Sequence, residues 1–592
     1  MRPPRSWKPA DGQQLTERFH LRSIGPLLIG LVILAGLAQL VAGALQSGVT
    51  NDEPIHVART ASWLDTGWYV PEAQMSNGRP DASLDGGTIG APFVYGPAWA
   101  AGAHALNVAA GNEEIATVSQ DADATAVRHL FTALIGAVAA FACGAAVWSL
   151  TASWRFGLWT VAALLVIPLW SGMSFFNPKD IPAAAGYTLF TVGLILALSW
   201  SQGPRFRVAR PWAIGALIAG GIFIGAGTRL AFWLPLAASL VTYALMVLIQ
   251  RRTDGGAGVA RRIDSLAIGL GVLAGTVSVV AIYPTIFADP FELLRESISS
   301  SSEFPWTGFT LTAGRLVSEH PPWWYLPVWG FASTPVLIGL FALGGAGAAI
   351  AGWFRARREP AGWLAAIGGR RDLGVVLALQ QLLLLSGASL VLGSTMYTGL
   401  RQHLYILPAA AILAGFGVHR LWIWSKRPGT DNSIRRRVVA VLAGLALLVP
   451  LTEGLLLFPY NYVYVNPIAG IGGINGRWET DYWWSSAREA RSRVPAGIDL
   501  LCLPPTGFGD TTTPVAPEDC GEDRSDQFFS ERPADRTGFS GQTIGKVRSG
   551  SVIPPNCEEA GSVTRWLRGE EVIMSYVLDC KSAPDLDAGL KP

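Results

Sequence analysis

Long apolar runs separated by short polar connections dominate this chain. A helix needs roughly 20 apolar residues to cross the hydrocarbon core of a bilayer. Eleven windows meet or approach that length: Ile24–Leu45, Leu130–Leu150, Phe156–Met173, Ile181–Trp200, Trp212–Gly227, Leu230–Ile249, Ile263–Phe287, Pro327–Trp353, Leu373–Met396, Leu404–Trp424 and Val438–Phe458. The first is too long, and too poorly followed by a small-residue cleavage site, to be a removed signal peptide, so it is expected to remain as an anchor. Basic residues gather in the N-terminal arm (Arg2, Arg5, Lys8, Arg18, Arg22) and again in every second connection: Arg205, Arg207 and Arg210; Arg251, Arg252, Arg261 and Arg262; Arg355, Arg357, Arg358, Arg370 and Arg371; Lys426, Arg427 and Arg435 to Arg437. Short loops rich in arginine and lysine stay cytoplasmic. Eleven crossings from a cytoplasmic N-terminus then place the tail outside.

The pattern predicts an α-helical polytopic membrane protein of about eleven spans with a small extracytoplasmic α/β C-terminal domain. Its parts are a cytoplasmic arm over residues 1–23, a transmembrane domain over 24–458 with outside loops at 46–128 and 288–326, and an outside domain over 459–592. Shorter outside turns are expected at Asn177–Asp180, Gly227–Arg229 and Tyr397–Gln402. Within the tail, Asp481 to Arg493 reads as a helix stopped at Pro495, and Ile498–Leu503 and Val572–Leu578 read as strands between proline- and glycine-rich turns. No repeat recurs at a fixed period.

Composition sharpens this picture. Charged residues make up 15% of the chain, against about 25% in soluble proteins, which excludes a single soluble fold. Net charge is near zero with no basic stripe, which excludes nucleic acid as a partner. Arginine far outnumbers lysine, and alanine and glycine are abundant, a composition that fits a GC-rich bacterium and hence a bacterial cell membrane. Cys143 sits in an apolar run, whereas Cys502, Cys520, Cys557 and Cys580 all fall in the polar tail. They lack the paired spacing of a zinc site and fit disulfides in an oxidising compartment, with Cys502–Cys520 and Cys557–Cys580 as the expected pairs; four free thiols are the alternative.

The unusual polar residues fall in the outside loops. Asn51-Asp52-Glu53-Pro54-Ile55-His56 follows the first span directly. Two adjacent carboxylates there can serve as a general base or hold a divalent ion such as magnesium or manganese on a phosphate, with His56 one turn along; alternatively Asp52 merely caps a helix that starts at Pro54. In Asn177-Pro178-Lys179-Asp180-Ile181-Pro182, Lys179 can pair with a lipid phosphate while Asp180 orients it, or can simply snorkel. Arg229 and Arg401 break the positive-inside rule and read as anion ligands, with His403 close by; a salt bridge to a neighbouring loop is the other reading. Trp323 and Trp324 open a span and suit either an interfacial belt or a sugar-binding surface. Past the last span, glycines lead to Glu479-Thr480-Asp481-Tyr482-Trp483-Trp484, which reads as a loop over the site or as a capped helix start.

On Asp52-Glu53, Asn177 to Pro182, Pro322-Trp323-Trp324-Tyr325, Arg401 to Pro408 and Glu479 to Trp483, the chain resembles the GT-C superfamily, close to the bacterial branch similar to dolichyl-phosphate-mannose-protein mannosyltransferases. Gln402 stands between Arg401 and His403, a small departure from that pattern. The resemblance implies an outward-facing glycosyltransferase that takes a sugar from a polyprenyl-phosphate carrier, inverts its anomeric centre and passes it to an acceptor hydroxyl on protein, cell-wall glycan or lipid. It implies Asp52 as base with Glu53 beside it, and a metal in some relatives but not in others. Lys179, Arg229, Arg401, His403 and His56 would then serve the donor phosphate, and Asp180, Trp323, Trp324, Glu479 and Asp481 the substrate or acceptor loop. A flippase for the lipid-linked sugar would use the same basic residues, but would call for ionisable residues at mid-membrane and repeated halves. A scaffold or sensor working through its tail would leave the Asn-Pro-Lys-Asp turn unexplained.

Overall fold

The computed structural model describes the chain apart from residues 1–11, 51, 82–92, 113–121, 200–208, 252–257, 305, 307, 359–370, 428–431, 484, 494–499, 503–527, 531–540, 547–556 and 581–592. Asn51, Arg2, Arg5, Lys8, Arg205, Arg207, Arg252, Arg370, Trp484 and Cys520 therefore lie outside the described residues. Among the described residues, ten helices are long and apolar enough to cross a membrane, and one bent pair raises the number to eleven.

The helices are α1 (Gly12–Gln46), α2 (Glu53–Thr66), α3 (Ala98–Ala109), α4 (Ala122–Thr151), α5 (Trp154–Leu165), α6 (Pro168–Phe176), α7 (Asp180–Leu198), α8 (Ala209–Ala226), α9 (Trp233–Arg251), α10 (Gly258–Ile282), α11 (Pro290–Ser302), α12 (Tyr325–Ala332), α13 (Val336–Ala356), α14 (Val375–Leu392), α15 (Ile406–Trp424), α16 (Asn432–Leu457) and α17 (Ala487–Ser492). Pro168 cannot donate into a continuing helix, so the window read as Phe156–Met173 breaks into α5 and α6 at an angle of 66°. Pro335 splits the window Pro327–Trp353 into α12 and α13 in the same way. Pro284 ends α10, and a separate 3-10 turn follows over Pro284–Phe287.

The bent pair crosses the bundle. His129, near the start of α4, bonds the Ala44 carbonyl at the end of α1 at 3.0 Å, and Lys179, just past α6, reaches Asp52 beyond α1. The 30 residues of α4 carry the chain about 45 Å from that end, and α5 with α6 brings it back. The remaining long helices alternate from there, so α16 finishes at the same end as α1. Arg155, Arg355, Arg357, Arg358, Arg420, Lys426, Arg427 and Arg435 to Arg437 gather at the opposite end.

Packing within the bundle relies on small residues. A Cβ on Gly186 would collide with the Gly225 backbone, and one on Gly221 with Phe190, so α7 and α8 approach backbone to backbone. α7 is buried on nearly every side, whereas Leu234, Val241, Leu245 and Leu248 of α9 face outward, as do Leu266, Leu270, Leu273 and Val277 of α10. Hydropathy alone does not separate these two environments.

Two hairpins, β1 (Met75–Ser76) with β2 (Arg79–Pro80) and β3 (Phe309–Thr312) with β4 (Arg315–Ser318), decorate the end where α1 finishes. The tail forms an antiparallel sheet of β5 (Leu500–Cys502), β6 (Phe528–Ser530), β7 (Gly541–Lys546), β8 (Cys557–Leu567) and β9 (Glu570–Cys580), in the order β5-β6-β7-β9-β8. The helix expected from Asp481 is shorter than its pattern, because Asp481 accepts from the Ser485 and Ser486 amides and the regular turns begin only at Ala487. In register, Cys557 lies opposite Cys580.

Candidate active site

Six segments far apart in sequence meet at the end of the bundle where α1 finishes. Asp52 occupies the N-cap position of α2, yet its side chain makes no capping bond. Its carboxylate instead receives Lys179 Nζ and, at 3.4 Å, Arg401 Nη1. Lys179 does not snorkel: Asn177 Oδ1 accepts from the amides of Lys179 (3.2 Å) and Asp180 (2.9 Å), an Asx turn that aims the lysine into the bundle. Asp180 is bonded by Asn177 Nδ2 at 3.0 Å and ion-paired with Arg229. Arg229 thus has the neighbouring-loop partner that the structural reading of its position required.

Arg229 is brought in by a backbone contact. Tyr95 and Arg229 form an isolated antiparallel bridge, continued by Gly96 N–H to Thr228 O (2.9 Å) and Ala98 N–H to Gly227 O (3.0 Å). A side chain at Gly96 would strike the Gly227 carbonyl, so only glycine permits this approach.

Aromatic faces line the cations. Lys179 Nζ stands 5.3 Å from the Tyr95 ring and 5.5 Å from Trp483, and Arg229 lies over Tyr95 at 5.6 Å. Arg401 sits between Tyr397 (4.6 Å) and Trp483 (4.8 Å). Such rings attract cations through their quadrupole without neutralising them. Three buried N–H donors here have no partner among the described residues: Arg229 Nε, Arg401 Nε and Trp483 Nε1. Desolvated donors beside fixed cations favour an incoming anion.

Burial pushes the Asp52 carboxyl upward, but Lys179 and then Arg401 outweigh it and hold Asp52 well below the usual carboxylate range. The Asp52 side chain keeps 23% of its surface exposed, against 7% for Lys179 and 8% for Arg401, so a hydroxyl can reach the acid past the bases. His56, one turn along α2, bonds Tyr69 OH at 2.9 Å and meets Tyr95 edge-on. Burial, then Arg59 and Lys179, depress its basicity and keep it neutral. Burial likewise lowers His403 to about 3; its Nε2 meets Ser389 Oγ at 3.1 Å.

Glu53 faces away from Asp52. Its carboxylate accepts from Thr50 N (2.7 Å) and Thr50 Oγ1 (2.9 Å) and meets His129 Nε2 at 2.8 Å. It fastens the α1–α2 corner to α4. With Glu53 turned away and Asp52 held by cations, these two acids do not fit a divalent ion, and no group of three or more metal-ligating side chains occurs among the described residues.

Trp323 is 74% exposed, and Trp324 precedes α12; neither is drawn to the Asp52 cluster. Glu479 is buried, with its amide on Leu311 O at 3.1 Å, and acts on Tyr325 and Tyr482. Asp481 is held by Tyr462 OH, Ser485 and Ser486. Tyr95, Tyr397, Arg59 and Tyr69 went unread in the sequence; the one signal was Tyr95 beside Gly96-Pro97 in an outside loop, which equally marks a turn. A small cavity of about 30 Å³ between α2, α3 and α4 touches His56, with Thr60, Trp99, His104 and Arg128 on its walls.

No family model matches the chain, and no curated protein matches it. Among solved structures it is similar to ArnT from Cupriavidus metallidurans bound to undecaprenyl phosphate (15% identity, TM-score 0.39, 74% of this chain and 72% of that one). It is also similar to the apo state of the same protein (13%, TM-score 0.43, 80% and 81%). A third likeness is to the archaeal oligosaccharyltransferase AglB from Archaeoglobus fulgidus, in complex with an inhibitory peptide and a dolichol-phosphate (11%, TM-score 0.43, 80% and 59%). At these scores the likenesses assign no activity to this chain.

Proposed function

We propose that this chain is a membrane glycosyltransferase that moves a sugar from a polyprenyl-phosphate donor to an extracytoplasmic acceptor hydroxyl, with inversion at the anomeric carbon. The observation that carries this reading is the Asp52 carboxylate ion-paired to Lys179 and Arg401 at the ends of membrane spans, with Arg229 in the same cluster. A lipid-borne phosphate has its headgroup at that depth, and a base and an anion site are juxtaposed there.

The donor phosphate competes with Asp52 for Lys179 and Arg401. As it takes them, Asp52 is left half-buried without its cations and beside a new negative charge, and its affinity for a proton rises. Asp52 then accepts the proton of the acceptor hydroxyl while that oxygen bonds to the anomeric carbon. The bond from that carbon to the phosphate oxygen breaks, and its electron pair leaves with the phosphate. Lys179, Arg401 and Arg229 meet the charge that develops on the leaving group, in a setting where each contact is stronger than in water.

The test is direct. Full-length protein in nanodiscs is incubated with a panel of polyprenyl-phosphate sugars and envelope acceptors. Free polyprenyl phosphate should appear in step with glycosylated product. Movement of the intact donor across the bilayer without product would instead identify a flippase.

A further inference from the structure

The segment from Ile474 to Ser486, which holds Trp483 against Lys179 and Arg401, is fastened at both ends to one strand of the C-terminal sheet. At its start, the Glu570 carboxylate accepts from the amides of Ile474 (2.8 Å) and Asn475 (3.0 Å). Asn475 repays the contact by accepting from Ile573 N at 3.0 Å and donating to Glu571 O at 2.7 Å. At its end, Ser486 Oγ bonds Ser575 Oγ at 2.9 Å. Glu570, Ile573 and Ser575 all belong to β9.

Between the two fastenings the segment has few freedoms left. Ile474 O accepts from Trp478 N at 2.9 Å, Trp478 packs on Trp329 at 5.0 Å, and Glu479 N is tied to Leu311 O at 3.1 Å. Gly473, at φ +99°, brings the chain onto Glu570 in a conformation that a side chain would oppose. The hairpin turn is itself seated on the bundle. Arg568 donates to Val465 O and lies over Tyr464, and Arg565 is paired with Glu489 while donating to Phe458 O at 2.7 Å.

We propose that Glu570 is a positioning residue for the reaction centre: by pinning Ile474 and Asn475 to β9 it sets the Trp483 indole between Lys179 and Arg401, so the C-terminal sheet belongs to the phosphate site. A carboxylate accepting backbone amides gives strong, directional bonds, and the strand transmits that geometry as a rigid element. The phosphate part of this inference rests on the reading of Asp52, Lys179 and Arg401 given above; the coupling of Glu570 to Trp483 does not.

Two readouts separate them. In full-length protein carrying 5-fluorotryptophan, the Trp483 resonance is assigned by its loss in W483F and followed without ligand. Binding of farnesyl phosphate to the protein in nanodiscs is then measured for E570A, W483F and the double variant. The Trp483 resonance should shift in E570A and return in E570Q, farnesyl phosphate should bind about tenfold more weakly to E570A, and the double variant should be no weaker than W483F alone. S575A, which loosens the other fastening, carries the same test if E570A fails to fold. An unmoved Trp483 resonance, or losses that add in the double variant, would overturn the proposal. A shifted resonance combined with unaltered farnesyl phosphate binding in both W483F and K179Q would leave the coupling standing and sink the phosphate reading.

Discussion

Lys179 donates to the Asp52 carboxylate across 127 residues of chain, joining the corner after the first span to the turn that follows the bent helix pair. A base bound this way is restrained until a competing anion arrives. Asp52→Asn removes the proton acceptor and leaves both cations without their carboxylate. The expected result is a turnover loss of about 10²–10⁴ with donor binding unchanged or tighter and melting behaviour retained. Radiolabelled sugar transfer and donor titration measure the two halves, and an active D52N enzyme would remove Asp52 from the mechanism.

The same ion pair sets a pH signature. In the unliganded protein Lys179 and Arg401 hold Asp52 well below the usual carboxylate range, so on the proposed reading kcat/KM for the donor should keep its acid limb low. Once phosphate occupies those cations, the Asp52 pKa rises, and the acid limb of kcat should lie at higher pH than that of kcat/KM. Lys179→Met, by removing one cation in advance, should move the kcat/KM limb upward. Coincident limbs in the wild-type enzyme would contradict the exchange of partners.

Stability should fall on the acid side because of a histidine. His403 is buried and neutral, with its pKa lowered to about 3, whereas an unfolded histidine titrates near 6.5. Between those values the unfolded state binds more protons, so stability is full above about pH 6.5 and declines toward pH 3, at up to about 1.4 kcal/mol per pH unit for one such group. Thermal unfolding in detergent at several pH values should show the decline, and His403→Gln should lessen it, the buried neutral His56 retaining the rest.

Strand register makes a prediction about the compartment. Cys557 and Cys580 are backbone partners in the β8–β9 register, and directly opposed residues in antiparallel strands stand about 4.5–5.5 Å apart at Cα, a separation that a disulfide can span. Peptide mapping of protein taken from membranes without reduction should recover a Cys557–Cys580 cross-link. Free thiols at both positions would argue against an oxidising location for the tail.

The spans were legible because hydropathy averages over 20 residues, and that average is blind to the proline at 168 and to whether α7 touches lipid or protein. Asp52, Lys179, Arg229 and Arg401 were legible because charge beside a bilayer is costly and invites explanation. The divergence of Asp52 and Glu53 was not, since neighbours at a helix start point in different directions and only the positions of Lys179 and His129 decide which acid faces which partner. Tyr95 and Tyr397 were hidden because aromatic residues outside the spans fit an interfacial belt equally well. Glu570 was out of reach altogether: its role depends on a strand 96 residues away from Ile474.

The reaction centre draws on positions from Asp52 to Trp483, and this ordering matters during synthesis. A ribosome delivers Asp52 first and Trp483 last, after all the membrane-length helices. On the proposed reading, a chain synthesised only through α14 lacks both Arg401 and Trp483 and so has no finished anion site for a lipid phosphate.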